Sequence, residues 1–213
     1  FPRVVRDLSR DLNKKINLVI EGEDTELDKS VIDELLDPIM HCVRNSLDHG
    51  IETPDVRKAA GKNEEGTLLL KASNEGNMIV IDIVDDGHGI DVEKVKNKAI
   101  QRGLIHPNKI ITDQEAYQLI FAAGFSTADK ITNVSGRGVG LDVVKTQIEK
   151  LNGTVVVTST PNEGTKFSIR LPLTVAIIQG LLVRVGKEVY SIPIASVIES
   201  HRVKANEINT IDN

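Results

Sequence analysis

Residues 66–87, GTLLLKASNEGNMIVIDIVDDG, limit the fold of this chain more than any other stretch. Two apolar runs, TLLLKAS and MIVIDIVDD, flank the turn residues NEGN, which is the pattern of a β-hairpin. A second hairpin is written at residues 154–173, TVVVTSTPNEGTKFSIRLPL. A short strand, INLVIEGE, precedes both. Between and around them lie helical patterns: residues 1–13, the long run LDKSVIDELLDPIMHCVRNSLDHGI, then PDVRKAAG, DVEKVKNKAIQRGL, TDQEAYQLIFAAG and LDVVKTQIEKLNG. Strands of this kind need helices laid against them to bury an apolar face, so the reading is an α/β sheet-and-helix domain.

Composition narrows it further. There is no tryptophan and aromatics make up 3% of the 213 residues, so Ile, Val, Leu and Ala must build the core. A hydrophobic fraction of 40% with 27% charged residues fits a globular chain. The net charge of −5, without a basic block, argues against nucleic-acid binding. One cysteine, Cys42, excludes an internal disulfide framework and a cysteine-based zinc cluster. No apolar run is long enough to span a membrane. The opening FPRVVRDLSRDLNKK is neither a signal peptide nor a lipidation signal, and reads as a cut inside a larger protein. The closing NEINTIDN breaks off as abruptly. After Pro172 the texture turns to strand runs and turns, which predicts a first domain over 1–174 and a truncated β piece over 175–213.

The long helix carries an unusual polar face. With Leu36 at zero and about 100° per residue, Ile32, Ile39, Val43 and Leu47 fall within about 60° of it and Met40 about 40° away, which predicts the buried stripe. His41, Asn45 and Asp48 fall opposite. Such residues are most often merely solvated, but Asn and Asp are poor mid-helix residues. An Asn carbonyl is a usable ligand for a hard cation, and the set suggests Mg²⁺ with a polyphosphate. Gly50 is the expected helix stop.

Two glycine-bearing stretches add to this. IDIVDDGHGI ends a strand in two carboxylates and two glycines; a carboxylate there accepts hydrogen bonds and suits an adenine amine, although Asp-Gly pairs are also common in turns. SGRGVGLDVVK sets three glycines before a helix, an arrangement suited to an anion. It is neither a Walker loop nor a dinucleotide fingerprint. Lys94 and Lys98, four apart, share a helix face, and Lys130 and Arg137 flank the glycine-rich segment.

Taken in order, HxxxN on a helix, DDGHGI at a strand end, GFST, and GRGVGLDVV at a helix start resemble the N, G1, F and G2 boxes of the GHKL superfamily, which joins histidine kinases, gyrase B, Hsp90 and MutL. Across nearly the whole length, FPRVVRDLSRDLNKK, EGEDTELDKSVIDELLDPIMHCVRNSLDHGIE and GFSTADKITNVSGRGVGLDVVK resemble the catalytic domain of the chemotaxis histidine kinases, the CheA family. The tail from about Ile177 is similar to the start of their CheW-like regulatory β-barrel.

The resemblance implies a two-layer α/β (α+β) sandwich, the Bergerat fold, with a mixed sheet covered by helices on one face. It implies ATP and Mg²⁺ as cofactors. Asn45 would hold the metal, with His41 beside it. Asp85 would accept from the adenine amine, supported by Thr165. Gly87, Gly89 and Ile90 would pass the base and ribose. Ser135, Gly136, Arg137, Gly138, Val139, Gly140 and Leu141 would meet phosphate, and residues 125–139, including Ser126 and Thr127, would form a lid. Asp48, His49, Lys94, Lys98 and Lys130 would be further nucleotide contacts. The superfamily's hydrolases carry a glutamate one turn before the metal-binding Asn; here that place is His41, which favours transfer to a histidine over hydrolysis.

The implied function is a cytoplasmic histidine autokinase of chemotaxis signalling, held near the inner membrane face through receptor complexes. Its implied partners are the kinase's own histidine-phosphotransfer domain in trans, the coupling adaptor CheW, chemoreceptors, response regulators indirectly, and a second copy of the kinase. No nucleic acid and no membrane insertion are expected. A GHKL ATPase with lid-driven conformational change, or a non-catalytic nucleotide-binding scaffold, stands as the alternative.

Overall fold

The computed structural model describes residues 1–22, 25, 27–125, 140–173 and 180–199. Its contacts divide the chain into two units, Phe1–Leu173 and Thr174–Asn213.

In the first unit the chain runs α1 (Pro2–Asp11), β1 (Lys15–Glu21), α2 (Lys29–Asn45) continuing into a π-helical turn (Ser46–Gly50), α3 (Pro54–Ala59), β2 (Glu65–Glu75), β3 (Met78–Asp85), α4 (Val92–Gln101), α5 (Asp113–Leu119), α6 (Leu141–Lys150), β4 (Thr154–Thr160) and β5 (Gly164–Pro172). The strands form one mixed sheet in the order β1-β2-β3-β5-β4. Only the β1–β2 pairing is parallel. Both expected hairpins are present. The first closes on Gly76 and Asn77, with Gly76 at φ +64°, the backbone sign that tight hairpin turns favour.

The register stacks the core in rows across the sheet, because alternate residues share a face. Ala72, Ile81, Ile169 and Val155 form one row, and Leu70, Ile83, Phe167 and Val157 the next. Apart from the half-buried Ala72, these side chains bury against α2, α4, α5 and α6 in a single, largely aliphatic core with Leu35, Ile39, Val43, Val95, Val144 and Ile148. Complete burial of a residue such as Ile83 or Ile169 stabilises the fold by about 1.5–3 kcal/mol. The opposite sheet face is more polar and carries the Asp82–Lys166 ion pair at 2.6 Å. A mixed sheet with its core on one face is the architecture the sequence implies.

The phase of α2 differs from the helical wheel. Leu36 and Ile32 are each 42% exposed, while Leu35, Pro38, Cys42 and Ser46 are buried with Ile39, Val43 and Leu47. A wheel centred on bulky aliphatics overlooks Cys42 and Ser46, whose small side chains are fully buried. Gly50 also ends the helix for another reason than a left-handed cap. The following Ile51 is extended, and the Ile51 N–H bonds the Ser46 carbonyl at 2.8 Å, the five-residue spacing of a π turn.

In the second unit, β6 (Gly180–Val185) and β7 (Glu188–Pro193) pair antiparallel and are followed by a short 3₁₀ turn, Ile194–Ser196. Among the described residues no helix is long and apolar enough to cross a membrane.

Candidate nucleotide site

The rows of the core end in a polar one. Leu68, Asp85, Thr165 and Ser159 lie side by side across β2, β3, β5 and β4 on the helix-covered face. Parity alone puts Asp85 there: Ile79, Ile81 and Ile83 face the core, and Asp85 is next in the series. It is 3% exposed.

Its carboxylate is held by the protein's own donors. Oδ1 accepts the Gly87 N–H at 3.1 Å and the Thr165 N–H at 3.2 Å. The buried Ser46 hydroxyl adds a stabilising influence from just outside hydrogen-bonding geometry. Burial nevertheless dominates and raises the pKa above the ordinary carboxylate value; Asp86 pushes the same way, while Ser46, Gly87 and Thr165 oppose. The Ser159 hydroxyl donates to the Gly164 carbonyl at 2.8 Å, accepts the Ile90 N–H at 2.8 Å, and lies 3.3 Å from the Thr165 hydroxyl. Thr165 and Ile90 therefore join Asp85 in one connected cluster.

The glycines around it are dictated by backbone meeting backbone. A Cβ on Gly87 would stand 2.1 Å from the Gly50 carbonyl oxygen, and one on Gly50 about 3.0 Å from the Asp85 carboxylate. Gly89 sits at φ +80° with the Thr160 carbonyl 2.6 Å from where its Cβ would be. The end of the π turn and the end of β3 are thus pressed together, and the His88 N–H bonds the Gly50 carbonyl at 3.1 Å. The Lys14 ammonium secures the same turn through the carbonyls of Leu47 (2.5 Å) and Asp48 (3.0 Å). Burial lowers its pKa, with Asp48 and Glu52 opposing.

Asp86 faces the other way from Asp85 and enters an ion network that sequence reasoning missed. Arg57, 2% exposed, donates to both Asp86 carboxylate oxygens (3.0 and 2.9 Å) and to Glu52 (3.2 Å). Lys62 donates to Glu52 at 3.0 Å. Burial alone would raise the Glu52 pKa, but the Lys62 hydrogen bond and the neighbouring charges outweigh it and hold the carboxyl below its usual value.

His41 and Asn45 lie one turn apart on α2, both half-buried, with the Asn45 amide N–H bonded to the His41 carbonyl at 2.9 Å. That bond uses the nitrogen end of the amide and leaves its oxygen as the end available to a cation. Burial and Arg44 lower the His41 pKa, against an opposing pull from Asp142 at the start of α6, so the imidazole is neutral at pH 7. Asp48 is half-buried and His49 exposed on the π turn. Gly140 caps α6 without a side-chain bond, and Leu141 packs onto the core edge. The Gly124 N–H bonds Asp142 at 3.1 Å, and a Cβ on Gly140 would stand 4.0 Å from the Phe125 carbonyl oxygen, so Gly124 and Phe125 lie beside the start of α6.

Lys94 and Lys98 line a groove of about 380 Å³ with Glu93, Asn97 and Gln101 of α4 and its N-cap Asp91; its walls include none of the Asp85 row. Ser126, Thr127, Lys130, Ser135, Gly136, Arg137, Gly138 and Val139 lie outside the described residues. No cluster of three or more His, Cys, Asp or Glu capable of holding a metal occurs among the described residues.

A family model described as histidine kinase-, DNA gyrase B- and HSP90-like ATPase matches residues 34–175. The chain belongs to this ATPase family. Over its full 213 residues it is 73% identical to part of the chemotaxis protein CheA of Treponema pallidum (strain Nichols) and 58% identical to part of CheA of Borreliella burgdorferi. It is 54% identical over 214 aligned positions to part of the sensor histidine kinase CheAY of Helicobacter pylori. The chain spans 26%, 25% and 27% of those proteins respectively, about a quarter of each. The histidine kinase domain of the Erythrobacter litoralis EL346 blue-light activated histidine kinase overlaps 81% of this chain and 62% of its own at a TM-score of 0.47 and 14% identity. The α2 pair, the Asp85 row and Gly140 with Leu141 at the start of α6 all fall inside the stretch matched to the ATPase family.

Proposed function

We propose that this chain is the catalytic part of a histidine autokinase of the chemotaxis type, binding Mg²⁺–ATP and passing the γ-phosphoryl to a histidine on a separate phosphotransfer domain. The observation that carries the reading is the buried Asp85 carboxylate, which follows the apolar series Ile79, Ile81 and Ile83 along β3 and is gripped through one of its oxygens by backbone donors. A desolvated acceptor aimed from a sheet end suits an exocyclic amine, and Thr165 and Ser159 extend the polar edge beside it. The polyphosphate then runs along α2 past Asn45 and His41 toward the glycine-rich approach to α6.

A Mg²⁺ site fits the residues present. Mg²⁺ takes few protein ligands, completing its shell with water and phosphate oxygens, and Asn45 Oδ1 is such a ligand. His41 offers nitrogen, which suits Mg²⁺ poorly; its neutral ring is better matched to a phosphate oxygen. When bound, the metal neutralises charge on the phosphates. The chain's residues supply position: Asp85 fixes the base, and α2 fixes the tail, so that the terminal phosphorus faces an incoming imidazole nitrogen. That nitrogen forms the new P–N bond as the bond to the ADP oxygen breaks. No carboxylate stands one turn before Asn45 to activate water, which favours transfer over hydrolysis.

The residues after 174 are read as the opening of a regulatory barrel that meets a CheW-type adaptor and, through it, receptors. Response regulators follow downstream, the phospho-accepting domain acts in trans within a homodimer, and the whole works in the cytoplasm. The test is γ-labelled ATP with the chain and an added phosphotransfer domain. Label is expected on the added domain and only traces of free phosphate without it. Abundant phosphate release with no acceptor would favour an ATPase instead, and no nucleotide binding by calorimetry would favour a scaffold.

A further inference from the structure

The peptide group between Asp86 and Gly87 is gripped at both ends. Its carbonyl oxygen, on Asp86, accepts from the Lys62 ammonium at 2.9 Å and from the Arg57 guanidinium at 3.1 Å. Its N–H, on Gly87, is the one that donates to Asp85 Oδ1. Lys62 also holds the next carbonyl, that of Gly87, at 2.7 Å. Two cations therefore act on one face of a peptide whose other face addresses the base-reading carboxylate. Steric contact completes the grip, since Gly87 is pressed against the Gly50 carbonyl. The cations are anchored in turn by Glu52 and by Asp86, whose Oδ1 also accepts the Thr67 N–H at 2.9 Å.

We infer that Arg57 and Lys62 are positioning residues for nucleobase recognition, acting through the Asp86–Gly87 peptide on the carboxylate of Asp85. The inference rests on Asp85 being the group that reads the base. Hydrogen bonds in a chain polarise one another, so a cation on the carbonyl strengthens donation by the N–H of the same peptide. That keeps Asp85 ionised, as an acceptor, in a setting where burial works against its charge. It also fixes the carboxylate plane, and hence the line along which an amine must approach. Neither cation is a catalytic residue; each touches the strand end and not the nucleotide.

Lys62 is the better probe, because its side chain is 16% exposed and its loss leaves the Arg57–Asp86 pair intact. The experiment measures Kd of the chain for ATP and for purine riboside triphosphate, which lacks only the 6-amino group, in the unmutated chain, Lys62→Met and Lys62→Arg. The unmutated chain is expected to favour ATP by about tenfold or more, the worth of one hydrogen bond to a buried charge. Lys62→Met should bring that ratio below about threefold, chiefly by weakening ATP, and Lys62→Arg should restore most of it. A lysine that serves only stability would weaken both nucleotides alike, and an unchanged ratio in Lys62→Met overturns the inference. If the unmutated chain shows no preference for ATP, base reading by Asp85 falls, and the positioning role falls with it; a preference kept in Lys62→Met removes the positioning role alone.

Discussion

Asp85 and Asp86 are neighbours in sequence with the same side chain, and the fold gives them opposite lives. Asp85 is buried on the core face among backbone donors, with its pKa raised by that burial. Asp86 turns outward, is 39% exposed at its side chain, and is bonded through both oxygens to Arg57. Strand alternation produces the split, and the partners decide its meaning. A carboxylate whose charge is matched by a cation is a structural rivet. One held by backbone dipoles and a neighbouring hydroxyl, with no cation on it, keeps acceptor capacity for something else. A single strand end thus supplies both the anchor and the probe, and the anchor's cations reach back to the probe through the shared peptide.

Removing the rivet should have the largest effect. Arg57→Ala leaves Glu52 and Asp86 without their guanidinium and is expected to cost about 3–5 kcal/mol of stability, measured by urea unfolding. A loss below about 1 kcal/mol would mean that the network is decorative. Changing the probe should do the reverse. Asp85→Asn is expected to weaken ATP binding by about 30-fold or more, since an amide can present its donor end to the amine, while stability stays level or rises. The sign follows from the raised pKa: ionised Asp85 disfavours the native state, so the unmutated chain loses stability as pH climbs from the unfolded carboxylate value through the raised native one, and the Asn variant lacks that loss. Equal affinity for ATP in both proteins would end the distinction between the two aspartates.

A smaller effect lies on α2. His41 has a lowered native pKa, so the unfolded chain binds the extra proton more readily. The stability tied to its neutral form is complete above about pH 6.5 and is lost as pH falls through that value toward the native one. Unfolding across pH 5 to 8 should show this slope, and His41→Gln should flatten it. The least visible effect is chemical. Burial pushes the Cys42 thiol up to about 12, so Ellman's reagent should find no thiol until the chain unfolds. Fast labelling of the native protein would show that the buried stripe of α2 is looser than its packing.

Much of this was legible in the residues. Both hairpins were readable from period and turn chemistry, and the parity of Ile79, Ile81 and Ile83 is enough to put Asp85 on their face. The row completed by Ser159 was not, because it depends on the register of the β4–β5 hairpin, which no local pattern states. The α2 stripe was right at Ile39, Val43 and Leu47 and wrong at Ile32 and Leu36, because counting bulk passed over the small, buried Cys42 and Ser46. No local pattern sets Arg57 and Lys62 apart from other cations; their targets on Asp86 and Gly87 lie 24 to 29 positions away and become visible only once β3 is folded back beside them. The stretch before α6 was legible as glycine-rich, but Ser126 to Val139 lie outside the described residues.

A π turn carries one more residue than the α turn it replaces, a single-residue insertion that the helix has accommodated by widening. Here that extra length is what brings the Gly50 carbonyl out to meet His88 and the bare Cα of Gly87. Deleting one residue between Ser46 and Gly50 would let regular i−4 bonding resume, and the helix taken alone would be sounder. Its end would retreat by about 1.5 Å and swing by about 100°, carrying the latch away from the strand it closes.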